Sequence, residues 1–233
     1  MPHKTGNGLL DLLPGGEATR LLSSSKNVSL SRGQVIYPHD GFISHAYFPT
    51  TSVFCVVLLI EDGKQVEGAT VGNEGMIGLP TFLGVDFHPF RAMVQMHGEA
   101  VQVPATVLSR AAAAGSTLDR ILRRYALYRL SYANQTGACN SLHAVEERVA
   151  RWLLMARDRT GKDEFSITQE FIAELLGVRR QTVSIIASTL QNAGLIAYRR
   201  GSLRVLNRPG LEDASCECYE VLKNLYRRVI IER

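Results

Sequence analysis

The stretch Ser166-Ile-Thr-Gln-Glu-Phe-Ile-Ala-Glu-Leu-Leu-Gly-Val-Arg-Arg-Gln-Thr-Val-Ser-Ile-Ile-Ala-Ser-Thr-Leu-Gln-Asn-Ala-Gly-Leu-Ile196 reads as two short amphipathic helices broken at Gly177. Thr168 can cap the first helix, and Glu170 in its first turn favours the helix dipole. Phe171, Ile172, Leu175 and Leu176 make its apolar side. Gly177 supplies the left-handed backbone that a sharp turn needs. In the second helix Val183, Ile186 and Leu190 stand at i, i+3 and i+7, one inward stripe. Arg180, Gln181 and Ser184 fall away from that stripe, near the helix start. This is the pattern of a helix-turn-helix, whose second helix enters the DNA major groove. Arginine there suits guanine O6/N7, and glutamine suits adenine N6/N7.

Downstream, Leu195 to Tyr198 and Leu203 to Leu206 form a predicted hairpin around Arg199-Arg200-Gly201-Ser202. A hairpin directly after a recognition helix is a wing. Its Arg199, Arg200 and Arg204 suit phosphates, which position a protein without reading sequence. Pro209-Gly210 ends the wing, and Glu212 to Ile231 is expected to be one terminal helix. Upstream, Val145 to Arg159 is a predicted helix with Val149, Trp152, Leu153 and Ala156 on one face, ended by Thr160-Gly161-Lys162-Asp163.

Further upstream lies a longer periodic segment. Leu118, Ile121, Tyr125, Tyr128, Tyr132, Gln135, Cys139 and Leu142 are spaced alternately by three and four, a heptad seam. It predicts a dimerisation helix over 116–143, with Gln135 able to set register and the Cys139 pair close across the seam. The alternative is a single helix packed on its own sheet.

Before it, residues 28–103 have the texture of short strands. Ser52 to Ile60 and Gln65 to Val71 flank Glu61-Asp62-Gly63-Lys64, a hairpin signal. Arg91 to Met96 and Glu99 to Val103 are expected to pair about His97-Gly98. A compact antiparallel sandwich or barrel follows from this, preceded by a helical segment near Gly8 to Ser23.

Charge divides along the same line. Residues 1–119 carry 7 Lys+Arg against 10 Asp+Glu, and residues 120–233 carry 19 against 12. Only the C-terminal half is expected to meet a polyanion. The longest apolar run, Val53 to Ile60, is too short to span a bilayer. No basic stretch followed by an apolar core opens the chain, so a cytoplasmic location is expected. Four cysteines in 233 residues form no disulfide framework.

On these residues the chain resembles the Crp/Fnr family of bacterial transcription regulators. The likeness is most specific in Ile167-Thr-Gln-Glu-Phe-Ile-Ala-Glu-Leu-Leu-Gly-Val-Arg-Arg-Gln-Thr-Val183 and is supported by Val145-Glu-Glu-Arg-Val-Ala-Arg-Trp-Leu-Leu154. The resemblance implies an α+β chain in three parts. These are a cyclic-nucleotide-binding-like antiparallel β-roll (a jelly-roll-like double-stranded β-helix) over 1–115, a dimerisation helix over 116–143 and a winged helix-turn-helix over 144–233. It implies a homodimer on double-stranded DNA, with RNA polymerase as a candidate partner and no membrane. The family's base-reading positions match Arg180 and Gln181. A third holds Ile185, which can touch a thymine methyl but donates nothing to guanine. The expected DNA-binding set is Thr168, Gln169, Arg179, Arg180, Gln181, Thr182, Ser184, Ile185, Arg199 and Arg200.

At the sensor end the family's cyclic-nucleotide motif is incomplete. Gly78-Leu79 stands where Gly-Glu is expected, and Ala92 follows Arg91 where the family has serine. Gly75, Gly78, Arg91 and Ala92 are the candidate effector positions, and cyclic AMP is not the expected ligand. No cysteine precedes Cys55, unlike the oxygen-sensing members. On one continuous helix Cys216 and Cys218 would diverge, so no metal, cofactor or catalytic group is expected. The rival readings are a cupin-type metalloenzyme with an appended helical domain, for which no His-x-His is present, and a protein-binding scaffold.

Overall fold

The structure is a computed structural model and describes residues 4–59 and 65–232. The expected turn Glu61-Asp62-Gly63-Lys64 lies outside the described residues, as does Ile60. A single 3-10 turn (Leu10–Leu12) precedes α1 (Gly15–Leu22). The strands β1 (Lys26–Leu30), β2 (Val35–Tyr37), β3 (Gly41–Phe42), β4 (His45–Pro49), β5 (Val53–Leu59) and β6 (Gln65–Val71) follow. Then come α2 (Leu79–Phe82), β7 (Phe87–His88), β8 (Arg91–Met96), β9 (Gly98–Pro104) and α3 (Ala105–Ala111). The rest of the chain is α4 (Thr117–Leu142), α5 (Val145–Thr160), β10 (Glu164–Ser166), α6 (Gln169–Leu176), α7 (Arg180–Asn192), β11 (Ile196–Arg199), β12 (Ser202–Val205), α8 (Arg208–Asp213) and α9 (Cys218–Tyr226). A π turn over Arg227–Ile231 extends α9.

The N-terminal strands form two main antiparallel sheets, ordered β1-β9-β4 and β2-β8-β5-β6, with the small pair β3-β7. Leu30, Tyr37, Ile43, Phe54, Ala92 and Val94 fill the space between the sheets. The expected hairpin of Arg91 to Met96 with Glu99 to Val103 is not formed. β8 pairs with β2 and β5, whereas β9 pairs with β1 and β4. His97-Gly98 is therefore a corner at which the chain changes sheets. A Cβ on Gly98 would stand 2.5 Å from the Ser52 backbone nitrogen, so only glycine lets the corner close against residues 51–52.

Ser116 caps α4 by accepting from Asp119 N at 3.0 Å, and the helix then runs 26 residues, roughly 39 Å at 1.5 Å per residue. The heptad residues expected to face a partner instead face inward. Leu118, Ile121, Tyr125, Tyr128 and Tyr132 are buried in a core shared with α1, β4, β9 and the C-terminal helix. Tyr125 Oη donates to Met76 O and accepts from Met76 N, both at 3.1 Å. Gln135 donates to Cys218 Sγ, and Cys139 packs against Cys216. These seven residues sit within one chain, because a helix lying on its own β-roll needs the same three-four spacing as a coiled coil.

The opposite stripe of α4 is open. Arg123, Leu127, Leu130, Asn134, Gly137 and Ser141 follow one another by four, three, four, three and four, and all are exposed. Leu127 and Leu130 are 55 % and 62 % exposed. After the extended residue His143, α5 begins, its Glu147 carboxylate accepting from Ala144 N at 3.0 Å. Its Val149, Trp152, Leu153 and Ala156 are buried with Ile172, Val183, Ile186 and Leu203 in a second core. Buried Arg159 on α5 reaches back to Glu74 of the β-roll at 2.9 Å.

The expected terminal helix is broken. α8 stops at Asp213, residues 214–217 are non-helical, and α9 starts at Cys218. Cys216 is thus outside the helix, and the divergence expected of two cysteines on one helix does not arise.

Candidate nucleic-acid interface

Thr168 caps α6 by accepting from Phe171 N at 3.2 Å. Its inward residues Ile172, Ala173, Leu175 and Leu176 are buried. Gly177 ends the helix at φ 65°, ψ 36°, the left-handed cap that turns the chain. Buried Arg148 of α5 donates to Leu176 O at 2.9 Å, satisfying a carbonyl that the helix end leaves open. These bonds fix the angle at which α7 leaves the turn.

α7 begins at Arg180 and buries Val183, Ile186, Ala187 and Leu190. Arg179, Arg180, Gln181 and Ile185 are exposed, Thr182 and Ser184 half-buried. Ile185, at 68 % exposure, is an isoleucine held out into solvent. Thr168 and Gln169, at the start of α6, are exposed and half-buried. Arg180 lies 3.5 Å from Glu170, and both side chains are open to water. Such a pair is held weakly, so the guanidinium is free to exchange it for a better partner.

The wing is built as the hairpin reading requires. β11 and β12 pair with Arg199 opposite Ser202, and Arg200 and Gly201 between them have φ of 50° and 80°. Positive φ at both central residues is the two-residue turn whose twist matches a hairpin. A third strand, β10, lies beside β12, and no sequence signal marked it because three residues are too few for a visible period. Tyr198 Oη donates to Ile167 O at 2.8 Å, and Gln191 Oε1 accepts from Tyr198 N at 2.8 Å. The wing is therefore pinned to the segment that leads into α6 and to α7.

Arg199 and Arg200 stand exposed at its tip. Arg204 differs from the expectation of a free phosphate contact, because it is paired with Glu164 across the β10–β12 register. The Arg204 guanidinium holds the Glu164 carboxyl below its usual range.

Residues 147–214 match the family model of the Crp-like helix-turn-helix domain. This segment is a Crp-like helix-turn-helix domain. The chain's fold is similar to that of FixK2 from Bradyrhizobium japonicum, with TM-score 0.70 and 21% identity over 82% of this chain and 98% of that one. It is also similar to a putative Crp/Fnr-family regulator from Eubacterium rectale, at TM-score 0.65 and 17% identity over 88% and 96% of the two chains. The c-di-GMP-responsive regulator CLP of Xanthomonas campestris gives TM-score 0.63 and 15% identity over 82% and 99%. At these identities the likeness is one of fold. No curated protein matches the sequence.

In the N-terminal β-roll, the four candidate effector positions separate. A cleft of about 350 Å³ opens beside Gly78, lined by Val56, Leu58, Leu79 and Phe90 and closed by Tyr125 and Arg129 of α4. Gly78 sits there at φ 95°. Gly75 is instead a packing glycine, since a Cβ would lie 2.1 Å from Tyr125 Oη. Ala92 is fully buried, paired with Tyr37 and Val56 in the roll. Arg91, at the start of β8, pairs with Val57 of β5 and is not among the cleft residues. Sequence reasoning missed Tyr125, because its spacing assigned it to a seam between subunits, and Arg129, which lies outside that seam and carried no signal of its own. His88 at the cleft stacks on Tyr37 with ring centroids 5.2 Å apart, and its Nδ1 lies 2.6 Å from Phe90 O. Burial draws its pKa below the usual histidine range, opposed by that contact. Among the described residues no helix is long and apolar enough to cross a membrane.

Proposed function

We propose that this chain works in the cytoplasm as a homodimeric transcription regulator reading a near-palindromic operator, modulated through the β-roll by a small effector other than cyclic AMP. The observation that carries the reading is the exposed start of α7. Arg180, Gln181, Ser184 and Ile185 share its outer side while Val183, Ile186 and Leu190 hold the other in the core. Arg180 donates to guanine, Gln181 bonds adenine, and Ile185 packs on a thymine methyl. Arg199 and Arg200 grip phosphate.

Dimerisation is assigned to the open stripe of α4 rather than to its tyrosine face. Leu127 and Leu130 supply apolar area, and a Cβ at Gly137 would meet nothing within 4 Å, so a partner helix can approach closely there. Two recognition helices then enter successive major-groove faces about 34 Å apart. The effector cleft is mostly apolar and has no carboxylate for a ribose, which favours an uncharged or weakly polar ligand. Because α4 closes that cleft with Tyr125 and Arg129, an effector would bias the pairing of α4 helices. An enzymatic reading gains no support from the roll interior, which is filled by Tyr37, Phe54, Ala92 and Val94.

Selection of binding sites from random duplex DNA tests the proposal. The expected result is an inverted repeat with guanine and adenine in each half-site. Recovery of single, unrepeated half-sites, or of no preferred sequence, overturns it.

A further inference from the structure

Where α4 ends and α9 begins, three cysteines and a histidine converge. Cys139 lies in the last turn of α4 and His143 is the extended residue that follows the helix. Cys216 and Cys218 flank Glu217 at the break between α8 and α9. One ligand atom from each of the four lies within 4.8 Å of all the others. Cys139 Sγ is 3.5 Å from Cys216 Sγ, and Cys218 Sγ is 3.6 Å from His143 Nδ1. Tetrahedral zinc, with bonds of about 2.3 Å to sulfur and about 2.0 Å to nitrogen, has ligand–ligand edges of about 3.5–3.8 Å. We propose that Cys139, His143, Cys216 and Cys218 form a mononuclear zinc site that ties the junction of α4 and α5 to the α8–α9 break.

The surroundings suit that ion. His143 turns Nδ1 to the thiols, while its Nε2 lies 3.1 Å from the Glu217 carboxylate. A carboxylate behind a histidine fixes its tautomer and raises its basicity as a ligand. Gln135 Nε2 stands 3.1 Å from Cys218 Sγ, a donor suited to thiolate. Three thiolates, a neutral imidazole and Zn²⁺ carry a net charge of about −1. Arg148 and Arg151 of α5 are buried nearby, and among the described residues the Nε of each has no hydrogen-bond partner. Their two positive charges offset the site together with the Glu217 carboxylate.

The α9 side is rigidly mounted. Tyr219, next to Cys218, donates to Asp158 at 2.6 Å and accepts from Arg208 at 2.6 Å. An iron–sulfur cluster would spread its protein ligands over several irons, wider than this group of atoms allows. A Cys139–Cys216 disulfide would leave Cys218 and the His143–Glu217 pair without a part to play. With four protein ligands the site is closed, so zinc here is structural and holds the junction between the dimer helix and the DNA reader. Binding releases the thiol protons to solvent.

The test uses the full-length reduced protein, supplied with zinc, dialysed and assayed for metal by emission spectroscopy. One zinc per chain is expected, and cobalt(II) in its place should give tetrahedral d–d bands with a thiolate charge-transfer band. The double variant Cys216→Ser/Cys218→Ser should lose stoichiometric metal. Glu217→Gln keeps all four ligands and the buried packing, so it reports even where the cysteine variants fail to fold. Its zinc affinity, read against a chromophoric chelator, should fall about 10–100-fold. Failure of the folded protein to hold zinc or cobalt overturns the assignment. So does iron with acid-labile sulfide, a Cys139–Cys216 disulfide in the protein as purified under reductant, or unchanged zinc affinity in either variant.

Discussion

Arg180→Ala separates reading from folding, because the side chain does so little in the free protein. Its one ion-pair partner, Glu170, is 3.5 Å away and both groups are open to water. Exposed pairs contribute about 0–1 kcal/mol. Near the middle of that range the loss would move the melting midpoint by about 1–2 °C for a chain of this size. On DNA the same side chain makes a bidentate contact to guanine, with about 1–3 kcal/mol of discrimination. A homodimer makes that contact twice, so operator affinity should fall by about 2–6 kcal/mol, roughly 30-fold to 10⁴-fold. The assay is fluorescence anisotropy with the selected operator and its single-base variants, all at one salt concentration. Wild type should discriminate at one base pair of each half-site, and the variant should lose discrimination there and nowhere else. A loss below about threefold, or an equal loss on unrelated DNA, would refute the base-reading role of Arg180.

Other perturbations probe the remaining parts. Changing Arg199 and Arg200 together to glutamine should lower affinity for every sequence, and the slope of log K against log salt should flatten by up to about 0.9 for each phosphate no longer neutralised. Leu127→Asp with Leu130→Asp should give monomers in sedimentation velocity with little change in the melting midpoint, because both residues are exposed on the single chain; a persistent dimer would move the interface elsewhere. Glu74→Gln removes one member of a pair in which Arg159 is buried, and leaves that guanidinium without its ion-pair partner. Urea unfolding should read a loss of about 3–5 kcal/mol, and a cost under about 1 kcal/mol would mean that the bond Arg159 donates to Tyr132 Oη at 3.4 Å suffices.

Glu67, beside Gln95, is raised to about 7 by burial, with Arg159, Gln95, Arg151 and Arg129 opposing the shift. A carboxyl raised in the folded state contributes stability that is full below its unfolded value of 4.5. That contribution is lost as pH rises through about 7. Glu67→Gln should therefore gain on wild type between those limits in urea titrations, and parallel pH profiles would count against the shift.

The helix-turn-helix and wing were legible because their constraints are local. Thr168 as cap, Gly177 as left-handed turn and Arg200-Gly201 as hairpin turn each follow from one residue's own backbone preference, and each is where it was expected. Long-range pairing was not legible. Nothing within Arg91 to Val103 reveals that β8 and β9 belong to different sheets, because that is decided by β5 and β4, far along the chain. The cysteine cluster was hidden for a related reason. A helix drawn through Glu212 to Ile231 keeps apolar periodicity, but the break at 214–217 takes Cys216 off the helix and brings it to Cys139, 77 residues earlier.

The error over α4 bears most on mechanism. Its sequence carries two interleaved stripes of alternating three and four spacing, and hydrophobicity alone favours the richer one, with its three tyrosines. That richer stripe is bound to the β-roll: Tyr125 holds both backbone groups of Met76, and beside the stripe Arg129 donates to Thr70 O at 3.0 Å. The poorer stripe, with Leu127, Leu130 and Gly137, is left exposed, and it is the face proposed for a partner. A poor stripe is the one a switch needs. A long apolar seam would lock two subunits in one arrangement, whereas two exposed leucines and a glycine leave several helix pairings close in free energy. At about 25 cal/mol per Å² of apolar area, two leucines contribute only a few kcal/mol. That is the scale on which an effector against Tyr125 and Arg129 can shift the population of arrangements that place both α7 helices on one face of DNA. On the proposed function, the tyrosines that look like the dimer seam would be the sensing side of the helix, and its plainer face the output.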